Sequence, residues 1–121
     1  MTDRDQKLAS PDALLAACDG DERIYDRIRS SLAKAIPQEL DRARDYLERG
    51  DLAALREAAH KLHGMVATAS TSVANVASAL EDHAEAGAHD ACTTDLTALH
   101  AQVPRLLAEL ASLTFDKLAP P

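Results

Sequence analysis

Five histidines occur in this 121-residue chain, and two of them, His60 and His63, stand one helical turn apart. An imidazole can act as a nucleophile through an unprotonated ring nitrogen, and two imidazoles at this spacing can share a metal ion. Around them, Leu52, Leu55, Ala59, Leu62, Val66 and Ala69 recur every three or four residues and mark one buried stripe of a helix. At about 100° per residue, His60 lies roughly 130° from the centre of that stripe and points into solvent. Beside it on the same face are Arg56, His63 and Gly64, with Ala53 and Ala67 a turn further away, and Lys61 is adjacent in sequence. One nucleophile thus stands on a floor of small side chains, with cations nearby. Gly64 costs a helix interior about 1 kcal/mol relative to alanine, and nothing in the core pattern asks for it. A backbone left bare beside His60 lets another protein approach closely. The metal reading lacks a carboxylate–histidine motif on a facing helix. His83, His89 and His100 belong to no motif and are expected to be solvated.

The elements that must position His60 are legible from punctuation. Ser10-Pro11-Asp12 reads as an N-cap, a first-turn proline and a first-turn acid, opening a short helix through Leu14, Leu15 and Cys18 that Asp19-Gly20 ends. Ile24, Ile28, Leu32, Ile36, Leu40, Ala43 and Leu47 then keep helical spacing up to Gly50, as one helix kinked at Pro37 or as two broken there. Asp51 opens the helix of His60, which runs to about Ser70. Ser70-Thr71-Ser72 offers cap oxygens to a helix carrying Val73, Val76, Leu80 and Ala84 and ending at Gly87. Leu96, Leu99, Val103, Leu106, Leu110 and Leu113 make the last stripe, with a bend predicted at Pro104. Short connections force these helices antiparallel. The expected fold is an all-α, up-down-up-down four-helix bundle at residues 10–114 with the extra N-terminal helix across one end. Residues 1–9 are expected to be a disordered segment or linker remnant, and 115–121 a C-terminal tail that frays at Pro120-Pro121.

Composition narrows the function classes. The chain has 25 Ala and 17 Leu but four Val, three Ile and three aromatic residues, so its core is built from closely spaced helices rather than around a wide cofactor cavity. A net charge of −7 with no Lys/Arg stripe argues against nucleic acid and anionic membrane. No apolar stretch is long enough to span a bilayer, and Met1-Thr2-Asp3-Arg4-Asp5-Gln6-Lys7 is not a signal peptide, which points to the cytoplasm. Cys18 and Cys92 lack metal or redox spacing and read as plain cysteines. The acidic runs, including Glu81-Asp82-Glu85, read as caps and solubilising faces.

The segment Ala59-His60-Lys61-Leu62-His63-Gly64 resembles the signature of the histidine phosphotransfer family, H-x-[LIM]-[KR]-G-[SA]. Gly20-Asp21, Pro37-Gln38-Glu39-Leu40 and Gly50-Asp51-Leu52 extend the resemblance over roughly residues 10–113. It implies that His60 is the phosphoryl acceptor, that His63 stands where the family usually has lysine, and that Gly64 is the family glycine. Arg56, Lys61 and Ala67 are then candidates for steadying the phosphoryl group or docking the partner. That partner, by the resemblance, is a receiver domain with a phospho-aspartate, Mg²⁺ and a lysine, in a sensor kinase or a response regulator. The chain itself would bind no cofactor and would not label itself from ATP, since it has neither a Gly-rich nucleotide loop nor an acidic metal cluster. It would act in the cytoplasm, free or as the C-terminal domain of a membrane-bound hybrid sensor kinase, and as a monomer when isolated. A docking-only module without transfer, and a metal-binding or dimerising module, are the alternatives.

Overall fold

The computed structural model describes residues 7–118, and these form six helices. They are α1 (Pro11–Cys18), α2 (Glu22–Glu48), α3 (Leu52–Ala67), α4 (Thr71–Glu85), α5 (His89–Ser112) and α6 (Phe115–Leu118). Connections of three residues, 49–51, 68–70 and 86–88, join α2 to α5 and make consecutive helices antiparallel. Helix α2 packs on α3 and α5, and α4 packs on the same two, which closes a four-helix bundle; α1 lies against α2 and α6. Among the described residues no helix is long and apolar enough to cross a membrane.

Capping residues set most of the boundaries. Asp21 opens α2 by accepting from the backbone N–H groups of Arg23 and Ile24, and Asp51 opens α3 by accepting from Ala54. Gly50 and Gly87 follow α2 and α4 with φ of 73° each, a left-handed conformation that costs residues with a Cβ. Of the two readings at Pro37, the single helix is found: α2 runs unbroken through the proline.

The core is a Leu/Ala lattice. Leu55, Ala58, Ala59, Leu62 and Val66 of α3 meet Val73, Ala77 and Leu80 of α4, Ile36, Leu40 and Ala43 of α2, and Leu99, Val103 and Leu106 of α5. Cys18 and Cys92 are both buried in it, and burial pushes the Cys92 thiol above its ordinary pKa, so that it stays protonated. At the far end of α5, Arg29 of α2 donates to the carbonyls of Leu110 (3.1 Å) and Leu113 (3.4 Å). The phenol of Tyr25 donates to the same Leu113 oxygen at 2.6 Å. These side chains satisfy carbonyls that a helix end leaves without intrahelical partners. Burial raises the Tyr25 phenol, which favours the neutral form that donates this bond.

The described residues that flank the bundle, 7–9 and 115–118, are more ordered than their composition suggests. Residues 7–9 are not a disordered segment: the N–H groups of Leu8 and Ala9 donate to the Glu109 carboxylate at 2.8 and 2.9 Å, and Leu8 is buried. The rest of the 1–9 expectation lies outside the described residues. Ser10 does not cap α1 with its side chain. Its hydroxyl instead accepts from Thr71 N at 3.0 Å, while its own N–H donates to Ala69 O at 2.7 Å. The start of α4 is therefore capped twice, by Ser10 and by Ser70, whose hydroxyl accepts from Val73 N. At the other end, residues 115–118 are not a tail, because Leu118 of α6 packs into the core. Pro120-Pro121 lies outside the described residues.

Candidate functional site

His60 stands where helical periodicity places it, on the solvent face of α3, with 72% of its side chain exposed. Its helix is fixed from below by Ala59 and Leu62, both fully buried, so the imidazole projects from a backbone with little freedom to turn. From α4, the Glu81 carboxylate reaches across, and its Oε2 lies 3.1 Å from His60 Nδ1. An ionised carboxylate only accepts, so this contact is a hydrogen bond in the tautomer that carries its proton on Nδ1. In the neutral ring the lone pair is then on Nε2. The arrangement is an exposed nucleophile whose second nitrogen is held by a carboxylate on the neighbouring helix.

The remaining sequence candidates divide by position. Arg56 and Lys61 share a shallow cleft with Glu57, His60 and Glu81, and Arg56 Nε lies 3.9 Å from Glu85 Oε2. That separation and the exposure of both groups make the Arg56–Glu85 pair weak, leaving Arg56 available to an incoming anion. His63 is half-buried one turn beyond His60, and Ala67 is exposed. Gly64 is exposed, its φ is not positive, and a Cβ built on it meets nothing within 4 Å. Neither backbone conformation nor packing inside the chain requires glycine there. What its bareness serves must approach from outside.

Glu81 is the site residue that sequence reasoning missed, since it was assigned to a solubilising face. The sequence signal was weak: the three-four stripe of α4 places Glu81 beside buried Leu80, but not which side of α3 it meets. Of the three histidines expected to be solvated, His89 is exposed, His83 keeps 41% of its side chain exposed although a carboxylate engages it, and His100 is the one withdrawn from solvent. His83 Nδ1 contacts Asp95 Oδ2 at 2.6 Å, and His100 is half-buried with Nδ1 2.9 Å from Leu96 O. Among the described residues there is no group of three or more His, Cys, Asp or Glu arranged to hold a metal ion.

The family model described as Hpt domain matches residues 27–112, from the first turns of α2 to the end of α5, with His60 near the middle of the match. The chain belongs to the histidine phosphotransfer domain family, whose members work with receiver domains in two-component phosphorelays. No curated protein and no solved structure matches the chain.

Proposed function

We propose that His60 accepts a phosphoryl group from the phospho-aspartate of a receiver domain and returns it to the aspartate of a response regulator. The observation that carries this reading is the exposed His60 ring with Nδ1 engaged by Glu81 and Nε2 open. Nε2 attacks phosphorus, the bond between phosphorus and the aspartyl oxygen breaks, and the electron pair leaves with the carboxylate. Charge developing on the equatorial oxygens needs a metal ion and fixed cations. The receiver supplies Mg²⁺ and a lysine; Arg56 and Lys61 flank the histidine on this side. The domain works in the cytoplasm, free or joined to a sensor kinase. The test is incubation with a radiolabelled phospho-receiver and Mg²⁺. Label that enters the chain, is lost in acid and survives base supports the reading. Binding without label from several receivers would replace it with docking alone.

Gly64 and Ala67 are the floor on which the receiver sits. Gly64→Ala is expected to stabilise the isolated domain by up to about 1 kcal/mol through helix propensity and to leave transfer nearly unchanged. Gly64→Gln has the same open space within the chain but raises a long side chain next to His60. It should melt close to wild type and transfer more than about tenfold more slowly, because only a small loss of docking energy is needed for that factor. Wild-type transfer in Gly64→Gln would remove this surface from the docking face.

His63 stands one turn from His60 on the same helix and offers a ring nitrogen to the phosphoryl oxygens. Phospho-His60 should therefore decay faster in His63→Ala than in the wild type, followed as loss of radiolabel. Equal decay rates in the two proteins would show that His63 does not contribute.

A further inference from the structure

We propose that His83 is a second phosphoryl-accepting histidine of this chain, and that the donors it takes are small phosphoramidates rather than a protein. The inference does not rest on reading His60 as the acceptor. His83 on α4 meets Asp95 of α5 through Nδ1 at 2.6 Å, and the carboxylate is the withdrawn partner, 15% exposed against 41% for the ring. An ionised carboxylate only accepts, so the contact is a hydrogen bond when Nδ1 carries the proton, and the lone pair of the neutral ring is then on Nε2. Among the described residues, the buried ring nitrogen without a partner is Nε2 of His100, so Nε2 of His83 is open to solvent. Away from His60, no other imidazole combines these features. No carboxylate pairs with His63 or His89 among the described residues, and His100 gives its Nδ1 to the Leu96 carbonyl.

The surroundings select the donor. Helix α4 carries no lysine or arginine, and α5 has none before Arg105. The two helices that hold His83 therefore supply no counterpart to Arg56 and Lys61, which share the cleft of His60. Charge on the equatorial oxygens of a transferring phosphoryl group is left to the donor and solvent. A phosphoramidate suits such a site because its leaving nitrogen is already protonated. The Nε2 lone pair becomes the new N–P bond, the donor's own P–N bond breaks, and that electron pair departs with the donor nitrogen, as ammonia from the parent compound. The ring then carries a positive charge shared with Nδ1–H. Asp95 already faces this proton, so the contact becomes a charge-assisted hydrogen bond, about twice as strong as a neutral one. A surface imidazole without a carboxylate has no such gain.

The probe is potassium phosphoramidate, applied to the folded His60→Gln protein at about pH 8, where unperturbed imidazoles are neutral. Occupancy of each histidine is followed by peptide mass spectrometry under alkaline conditions. His89, exposed and without a carboxylate, is the control within the same molecule. His83 should be labelled roughly fivefold faster than His89, a factor that corresponds to about 1 kcal/mol of stronger hydrogen bonding in the transition state. Asp95→Asn keeps an acceptor oxygen without the charge and should bring His83 down toward the rate of His89. His83 labelled no faster than His89 would overturn the proposal, and this comparison needs no substitution in the α4/α5 seam. With a phospho-receiver in place of phosphoramidate, His83 should stay unlabelled; label on His83 from the receiver would overturn the assignment of its donor. Failure of a phospho-receiver to label wild-type His60 would reject the acceptor reading of His60 and leave the His83 comparison as it stands.

Discussion

His60→Gln is expected to lose phosphoryl uptake to background while melting within about 1 °C of wild type. The two halves of that expectation have separate causes. Glutamine offers no nucleophilic ring nitrogen, and nothing else on this face replaces it, since His63 lies half-buried a turn away. The fold, by contrast, asks little of residue 60. Its side chain is 72% exposed, its contact with Glu81 is at the surface, and exposed substitutions of this kind change stability by less than about 0.5 kcal/mol. The amide of glutamine can still donate to Glu81. The measurement is radiolabel transfer from a phospho-receiver beside a thermal melt. Label retained by His60→Gln would place the acceptor elsewhere, and His63, His83, His89 and His100 would then be replaced in turn.

The second large effect is on stability and lies two residues along the same helix. Leu62 is fully buried under the face that carries His60, and it belongs to the continuous core with Ala59 and Val66. Leu62→Ala removes three carbons from a close-packed site and leaves a cavity that a rigid bundle refills poorly, at a cost of about 2–5 kcal/mol. For a domain of this size the midpoint should fall by on the order of 10 °C. Lys61→Ala, one residue earlier and exposed, is the control and should lie within about 0.5 kcal/mol of wild type. If the two variants melted together, the packing described around α3 would be wrong.

The contrast between positions 60, 61 and 62 shows what the sequence made legible. Helical periodicity fixes the face of each residue about its own axis, so the exposure of His60 and the burial of Leu62 could be read from spacing alone. Caps were equally local: Asp21, Asp51 and Gly50 announce their boundaries through bonds and backbone angles within a few residues. Glu81 was not legible because its role depends on the rotation of α4 against α3, which is settled by how Leu62, Val66, Val73 and Leu80 interlock. The hydroxyl of Ser10 crossing to Thr71 is a contact between residues 61 apart, which no cap rule reaches. Leu8 and Leu118 escaped for a related reason. A single leucine in a polar stretch has no period, and its burial becomes visible only when Glu109 or α1 is present to receive it.

The Glu109 contact also bears on how the chain assembles. Most of the bundle forms between neighbouring helices joined by three-residue turns, the kind of local topology that folds rapidly. The bond from Leu8 N to Glu109 joins residues 101 apart. Closing so large a loop is entropically costly, and one carboxylate receiving two amides with one buried leucine behind it offers limited compensation. This clasp is expected to form after the four long helices have packed. By the same reasoning it is among the first contacts to open in the folded protein, so the amides of Leu8 and Ala9 should exchange with solvent well before those of α3, whose core must unfold to release them.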